Sequence, residues 1–340
     1  MNLFEQRLTD LLGHKEDFSD KVRSLFSGKR RNPLIQLPGW EKWGVLMDEL
    51  DWLHHRLRDN HSRSVLENTV LYHLTHGHWK MKWRGENLTW RPSMAEVGEN
   101  VEKIKLTFKD WELQPRSMRS IGFPLEVFLP KKRPSIIFDL EQYADPKNNI
   151  YAKSGDVIID GGGCWGDSAL YFASLAGQGG KVYCYEFIPE NLGIMRRNFE
   201  LNPELAARIE VIEKPLWSHS GETMEFVCDG PATRIKREGD DDAGILKFHT
   251  TTIDDLIHTN GVTRVDFIKL DIEGAEPAAL KGASQSIRRF KPTMALCVYH
   301  DPAHFAQLAR YIDSIQPGYL YSLDHMTTCD WETVLYASVS

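Results

Sequence analysis

The stretch from Asp156 to Ser168, DVIIDGGGCWGDS, constrains this chain more than any other. Val157, Ile158 and Ile159 run into Asp160, a glycine-rich bend follows, and Ala169 to Leu175 reads as a helix. A short buried strand, a bend poor in side chains and a helix N-terminus make a site for a nucleotide-like ligand. Glycines turn with positive φ and let a ligand lie against main-chain N–H groups. The spacing Gly161, Gly163, Gly166 also satisfies the dinucleotide fingerprint, so it does not by itself separate NAD from other adenosine ligands. A tight strand-to-helix turn without a ligand fits this stretch equally well.

Downstream, strands and helices alternate, which predicts a parallel sheet with helices on both faces. The apolar runs place strands at 156–160, 181–186, 209–213, 265–271 and 293–299. Helices are expected at 167–176, 189–201, 252–258, 274–286 and 302–315, with an extra hairpin within 222–249. Two last strands, Tyr319–Leu323 and Thr333–Ala337, have no helix between them long enough for a crossover. They are therefore expected to be antiparallel.

The first part of the chain reads differently. Leu3, Phe4, Leu8, Leu11 and Leu12 recur at helical spacing, and Val22, Leu25 and Phe26 predict a second short helix. Trp40, Trp43, Leu46, Met47, Leu50 and Leu53 form a longer apolar stripe, and Val65 to Leu74 a further helix. From Trp79 to Trp83 the period becomes two, and Gly85-Glu86-Asn87 supplies a turn before Leu88 and Trp90, which predicts a hairpin. Short strands are expected around Ile104–Phe108, Leu125–Leu129 and Ile136–Phe138. The reading divides the chain into a helical region at 1–110 and a main domain at 111–340. Of 10 tryptophans, Trp40, Trp43, Trp52, Trp79, Trp83, Trp90 and Trp111 fall at or near this first region. Such a density of large rings predicts burial, either in a cap on the main domain or in a homo-oligomer interface.

Composition narrows the function classes. A formal charge of -7 argues against a nucleic-acid partner, and the basic clusters Lys29-Arg30-Arg31 and Lys131-Lys132-Arg133 read as solvated loops. Five scattered cysteines without paired spacing fit a reducing compartment and argue against a cysteine-rich zinc site. His54, His55, His61, His73, His76 and His78 lack an acidic partner pattern and read as packing or surface residues. No run approaches the length of a membrane span, and the expected location is cytoplasmic.

Three strand ends carry chemistry. The second ends in Glu186, where a carboxylate can accept both ribose hydroxyls; capping the helix that begins near Pro189 is the blander alternative, and the glycine loop upstream favours the ribose. The fourth, DFIKLDIEGAE, places Asp271, Glu273 and Glu276 within six residues; three acids at a sheet's carboxyl edge are costly to leave unpaired and should contact a ligand, a basic partner or a cation. Glu276 alone could be a helix cap. The fifth ends in His300, which beside a carboxylate is a workable general base for a hydroxyl.

The ordered motifs VIIDGGGCWGDSALYFA, VYCYEFIPEN, TTIDDL, FIKLDIEGAE, KPTMALCVYH and ETVLYA resemble the FkbM-type methyltransferases over about residues 138 to 338. The resemblance implies an α/β class I methyltransferase fold, Rossmann-like, with a seven-stranded sheet whose last strand is antiparallel. It implies S-adenosylmethionine as cofactor and O-methylation of a hydroxyl on a sugar, glycan or natural product. Asp160, Gly162, Gly166 and Ser168 then fall on the cofactor loop and Glu186 on the ribose acid. Phe187 stands where members commonly carry proline, and its ring could stack near the adenine. His300, Asp271 and Glu273 are the candidate catalytic residues, and a divalent cation on the two acids is compatible with the sequence but not required by it. An NAD(P)-dependent oxidoreductase and a non-catalytic cofactor-binding scaffold are the competing readings.

Overall fold

The computed structural model describes residues 1–13, 33–87, 106–108, 111–130, 135–241 and 245–339. The expected helix at Val22–Phe26, both basic clusters, Leu88 and Trp90 lie outside these residues. Two compact units emerge, Thr89–Leu296 and Met1–Leu88 joined with Cys297–Ser340.

In the Thr89–Leu296 unit, a small antiparallel sheet comes first: β1 (Leu106–Phe108), β2 (Trp111–Ser117) and β3 (Glu126–Pro130). The expected strand at 136–138 is instead a helical turn, Ile136–Asp139, because the Ser135 hydroxyl caps the Phe138 N–H at 3.4 Å. The main strands follow as β4 (Val157–Gly161), β5 (Lys181–Tyr185) and β6 (Ile209–Ile212). An antiparallel insertion of β7 (Thr223–Val227), β8 (Arg234–Ile235) and β9 (Ile245–His249) replaces the simple hairpin expected there. β10 (Phe267–Leu270) and β11 (Thr293–Cys297) complete a parallel run in which β4 pairs with β5 and β10. Ile158, Ile159, Phe267, Ile268 and Leu270 are fully buried, as strands covered on both faces require.

Helix Asp167–Ala176 follows β4, and helix Pro189–Glu200 follows β5 with proline in its first turn, where no N–H is needed. The single helix expected at 274–286 is two, Glu276–Lys281 and Ser284–Phe290. Two asparagines dock β3 on helix Pro189–Glu200 and its end. Asn198 Oδ1 accepts from Phe128 N at 2.7 Å, and Asn202 Oδ1 from Glu126 N at 2.9 Å.

In the other unit, β12 (Tyr319–His325) and β13 (Thr333–Val339) pair antiparallel, as expected. The seven-stranded sheet has the order β12-β13-β11-β10-β4-β5-β6, the mixed sheet of the class I methyltransferase fold. Helix Asn60–Leu74 and the link that joins it to helix Met47–Arg56 lie on β12 of their own unit: Arg58 N, in the link, donates to Tyr321 O at 2.9 Å, and Leu323 N donates to Ser62 Oγ at 3.0 Å. These bonds cover backbone groups that an edge strand would otherwise leave open. Asp324 is buried among them; burial alone would raise its carboxyl, but His61 and Arg84 outweigh that and hold it at about 2. The expected hairpin over 79–90 does not form in its described part. Trp79 and Met81 are buried and Lys80 and Lys82 exposed, yet residues 79–83 pair with no strand and a 3₁₀ turn, Arg84–Asn87, follows. Of the tryptophan stripe, Trp43 is buried and Trp40 half-buried. His73 stacks on Trp43 with centroids 4.5 Å apart, and burial lowers its pKa to about 4, a packing role. Among the described residues, no helix is long and apolar enough to cross a membrane.

Candidate functional site

The site is built upward from the end of β4. Asp160 is fully buried; its Oδ1 lies 3.0 Å from Lys269 Nζ, and its Oδ2 accepts from Ser168 Oγ at 2.7 Å. Lys269, buried on neighbouring β10, also donates to the Gly162 carbonyl at 2.6 Å and stands 5.1 Å from the Tyr143 ring centroid. A buried ion pair repays its desolvation only when further hydrogen bonds complete it. Here a carboxylate, a carbonyl and an aromatic face share one ammonium, and the glycine loop is fixed from beneath. Asp160 and Ser168 thus hold the loop rather than face the cleft above it.

The loop itself must be glycine for packing reasons. Gly162 has φ +83°, and a Cβ there would run into the Asp271 carbonyl; Gly166 has φ +79°, and its Cβ would press on Met195 and Phe199. Gly162 borders the cleft, whereas Gly166 lies beneath it against helix Pro189–Glu200.

A cleft of about 660 Å³ opens along the carboxyl ends of β4, β5, β6 and β10, entirely within the Thr89–Leu296 unit. Gly162, Glu186, Phe187, Asp271 and Glu273 all line it, as do Asn191 from the helix after β5 and Phe226, Gly230 and Arg234 from the insertion. Phe187 packs its ring against Phe226 and Phe248, each at 4.8 Å between centroids, so it is the apolar corner of this wall.

Glu186 sits at the floor, 6% exposed. Its Oε1 accepts from Phe187 N at 2.7 Å and Ile188 N at 2.8 Å, while Oε2 accepts from Asn191 Nδ2 at 3.3 Å. One oxygen therefore performs the helix-entry role, the other carries the asparagine contact, and the Cys164 N–H also acts on the carboxylate. Burial pushes the carboxyl up to about 7, against the opposing pull of these hydrogen bonds. Burial likewise raises Asp167, at the first turn of helix Asp167–Ala176, to about 6.

On the opposite side, Asp271 follows β10 directly, and Tyr143 Oη donates to its Oδ2 at 2.9 Å. Glu273 and Gly274 both have positive φ, +54° and +98°. A non-glycine residue in that region costs about 1–3 kcal/mol and persists where its surroundings over-determine it. Glu276, fully buried, supplies part of that constraint by accepting Ile272 N at 2.9 Å, so it is the scaffold of the turn. His300 belongs to the other unit, where Val298 N donates to Thr333 O at 3.0 Å and the Tyr299 and His300 rings lie 4.1 Å apart. Lys269, Tyr143 and Asn191 are the residues that sequence reasoning missed. Lys269 carried the one usable signal, a lysine inside a wholly buried strand.

A nucleoside-containing cofactor fits these residues: a buried acid lining the cleft, an apolar corner beside it, and a backbone loop tied down by Lys269 at the cleft mouth. The family model of the methyltransferase FkbM domain matches residues 149–326. The structure is similar to that of a methyltransferase FkbM from Methylobacillus flagellatus, with TM-score 0.55 and 22% identity over 87% of this chain and 60% of that one. The chain thus spans less than two thirds of that protein's length. An O-methyltransferase from Bacillus cereus also matches, with TM-score 0.35 and 16% identity over 55% of this chain and 74% of that one. No curated protein sequence matches the chain.

Proposed function

Because the chain belongs to the FkbM methyltransferase family, we propose that it transfers a methyl group from S-adenosylmethionine to a hydroxyl oxygen of a sugar, glycan or natural product. The observation that carries this reading is the cleft itself, with a buried acid at one end and two acids on a strained turn at the other.

When bound, the cofactor supplies an activated methyl group on a sulfonium whose leaving form is a neutral thioether. The chain's own work is then positioning and proton removal. In this proposal Glu186 binds the ribose, Phe187 and Ile188 close the apolar side, and the backbone at Gly162 lies along the amino-acid portion. Asp271 and Glu273 face the reacting end. His300 is the proposed base, taking the proton from the acceptor hydroxyl as the new C–O bond forms, with Asp271 or Glu273 orienting it. A divalent cation on the two acids is the variant of this scheme in which the metal lowers the hydroxyl pKa.

The test is methyl transfer from labelled donor to a panel of hydroxylated acceptors. His300→Asn should lower kcat by about 10²–10⁴-fold while S-adenosylmethionine affinity stays nearly constant. If a cation does the activation, chelation should abolish turnover and Asp271→Asn should cost more than His300→Asn. Unchanged kcat in both variants and under chelation would remove these roles.

A further inference from the structure

The hydrogen-bond inventory at Glu186 does not close for a ribose. A carboxylate offers about four acceptor positions on its two oxygens. Two are taken at Oε1 by Phe187 N and Ile188 N, and one at Oε2 by Asn191 Nδ2. The Cys164 N–H also lies against this carboxylate, so at most one position is open, whereas a ribose diol brings two hydroxyl donors.

Asn191 supplies what is missing. Its Nδ2 stands 3.3 Å from Glu186 Oε2 and 3.3 Å from the Gly230 carbonyl. Both of those atoms are acceptors, so chemistry fixes which end of the amide is nitrogen. Its Oδ1 consequently points elsewhere. The residue is 2% exposed and lines the cleft, and this buried oxygen has no hydrogen-bond partner among the described residues. Buried carbonyl oxygens are rarely left so, since the lost hydration is not repaid.

We propose that Asn191 is a specificity-determining residue for the cofactor: its Oδ1 accepts from one hydroxyl of the ribose diol while Glu186 Oε2 accepts from the other. This rests on reading the cleft as the S-adenosylmethionine site. The same amide then ties three things together, since its nitrogen holds the acid and the Gly230 turn of the insertion while its oxygen reads the sugar. A deoxyribose ligand would leave one of the two acceptors unpaired and buried.

Calorimetry on the full chain with S-adenosylhomocysteine and its 2′-deoxy and 3′-deoxy analogues tests this. The wild-type protein should bind each analogue about tenfold or more weakly than the parent, because each lacks one donor. Asn191→Ala should lose discrimination against one analogue and keep it against the other, with Glu186→Gln showing the complementary pattern. Uniform weakening of all three ligands in Asn191→Ala would mean the asparagine only braces Glu186, and would overturn the proposal. So would wild-type protein that binds either analogue as tightly as the parent, a result that needs no variant to fold. Wild-type protein that binds no S-adenosylhomocysteine would overturn the cofactor reading itself and this proposal with it.

Discussion

Tyr143 and Asp271, 128 residues apart in sequence, meet through a 2.9 Å hydrogen bond from the phenol to Oδ2 of the carboxylate. The Tyr143 ring is buried, stacks on Phe172 at 5.8 Å and receives the Lys269 ammonium on its face. The acid on this side of the cleft is thus oriented by the same residue that packs against the ammonium under the glycine loop.

Tyr143→Phe removes that single hydrogen bond and keeps the ring. A hydrogen bond to a charged group is worth about 1.5–3 kcal/mol. If Asp271 works in catalysis, kcat should fall roughly ten- to a hundredfold, the pH–rate profile should shift, and S-adenosylhomocysteine affinity should hold. A variant with the wild-type rate and profile would show that the bond serves only the fold.

Glu186 makes a prediction in pH. Its carboxyl is raised from 4.5 to about 7 by burial, so between those values the folded chain binds more protons than the unfolded one. Ligand-free stability should therefore fall as pH rises through this window, by at most about 3 kcal/mol from this group. Asp167, raised to about 6, acts in the same direction. Ribose hydroxyls donate to the ionised form, so S-adenosylhomocysteine should bind more tightly from about pH 5.5 to about 8 and release protons at the lower end. Calorimetry in buffers of different ionisation enthalpy reads both effects. Affinity that does not vary with pH, without proton release, would contradict this placement of the ribose.

Much of the fold was legible in the sequence because buried parallel strands write themselves as apolar runs. VIID, KVYCY and FIKL gave β4, β5 and β10 within a residue or two, and the short link between the last two strands gave their antiparallel pairing. Local pattern failed where a tertiary partner decides. Ile136-Ile137-Phe138 looks like a strand, yet with no neighbour to pair with it turns helical behind Ser135. Trp79 to Trp83 alternate in burial without any ladder. Within the candidate site, Glu186 could be proposed from its strand end, and it does line the cleft. Tyr143 and Asn191 could not, because each matters only through a partner that folding brings to it.

The N-terminal helices yield a stability prediction. The link between them supplies the 2.9 Å bond from Arg58 N to Tyr321 O, and Asp324 is neutralised by His61 of the second helix and, from the following turn, by Arg84. Deleting residues 1–78 would uncover β12 and leave Asp324 without His61. The truncated chain should aggregate or lose its cooperative melt, followed by light scattering and circular dichroism. A soluble truncated chain with native melting would show that these helices are dispensable to their unit.

The central claim is that the cleft around Glu186 holds an S-adenosyl cofactor, and titration calorimetry of the full chain tests it most directly. Wild-type protein should bind S-adenosylhomocysteine and give no heat with NAD, and Glu186→Ala should weaken binding by roughly 1–3 kcal/mol through loss of a charged acceptor. Tighter binding of NAD than of S-adenosylhomocysteine, or unchanged affinity in a folded Glu186→Ala protein, would contradict the account.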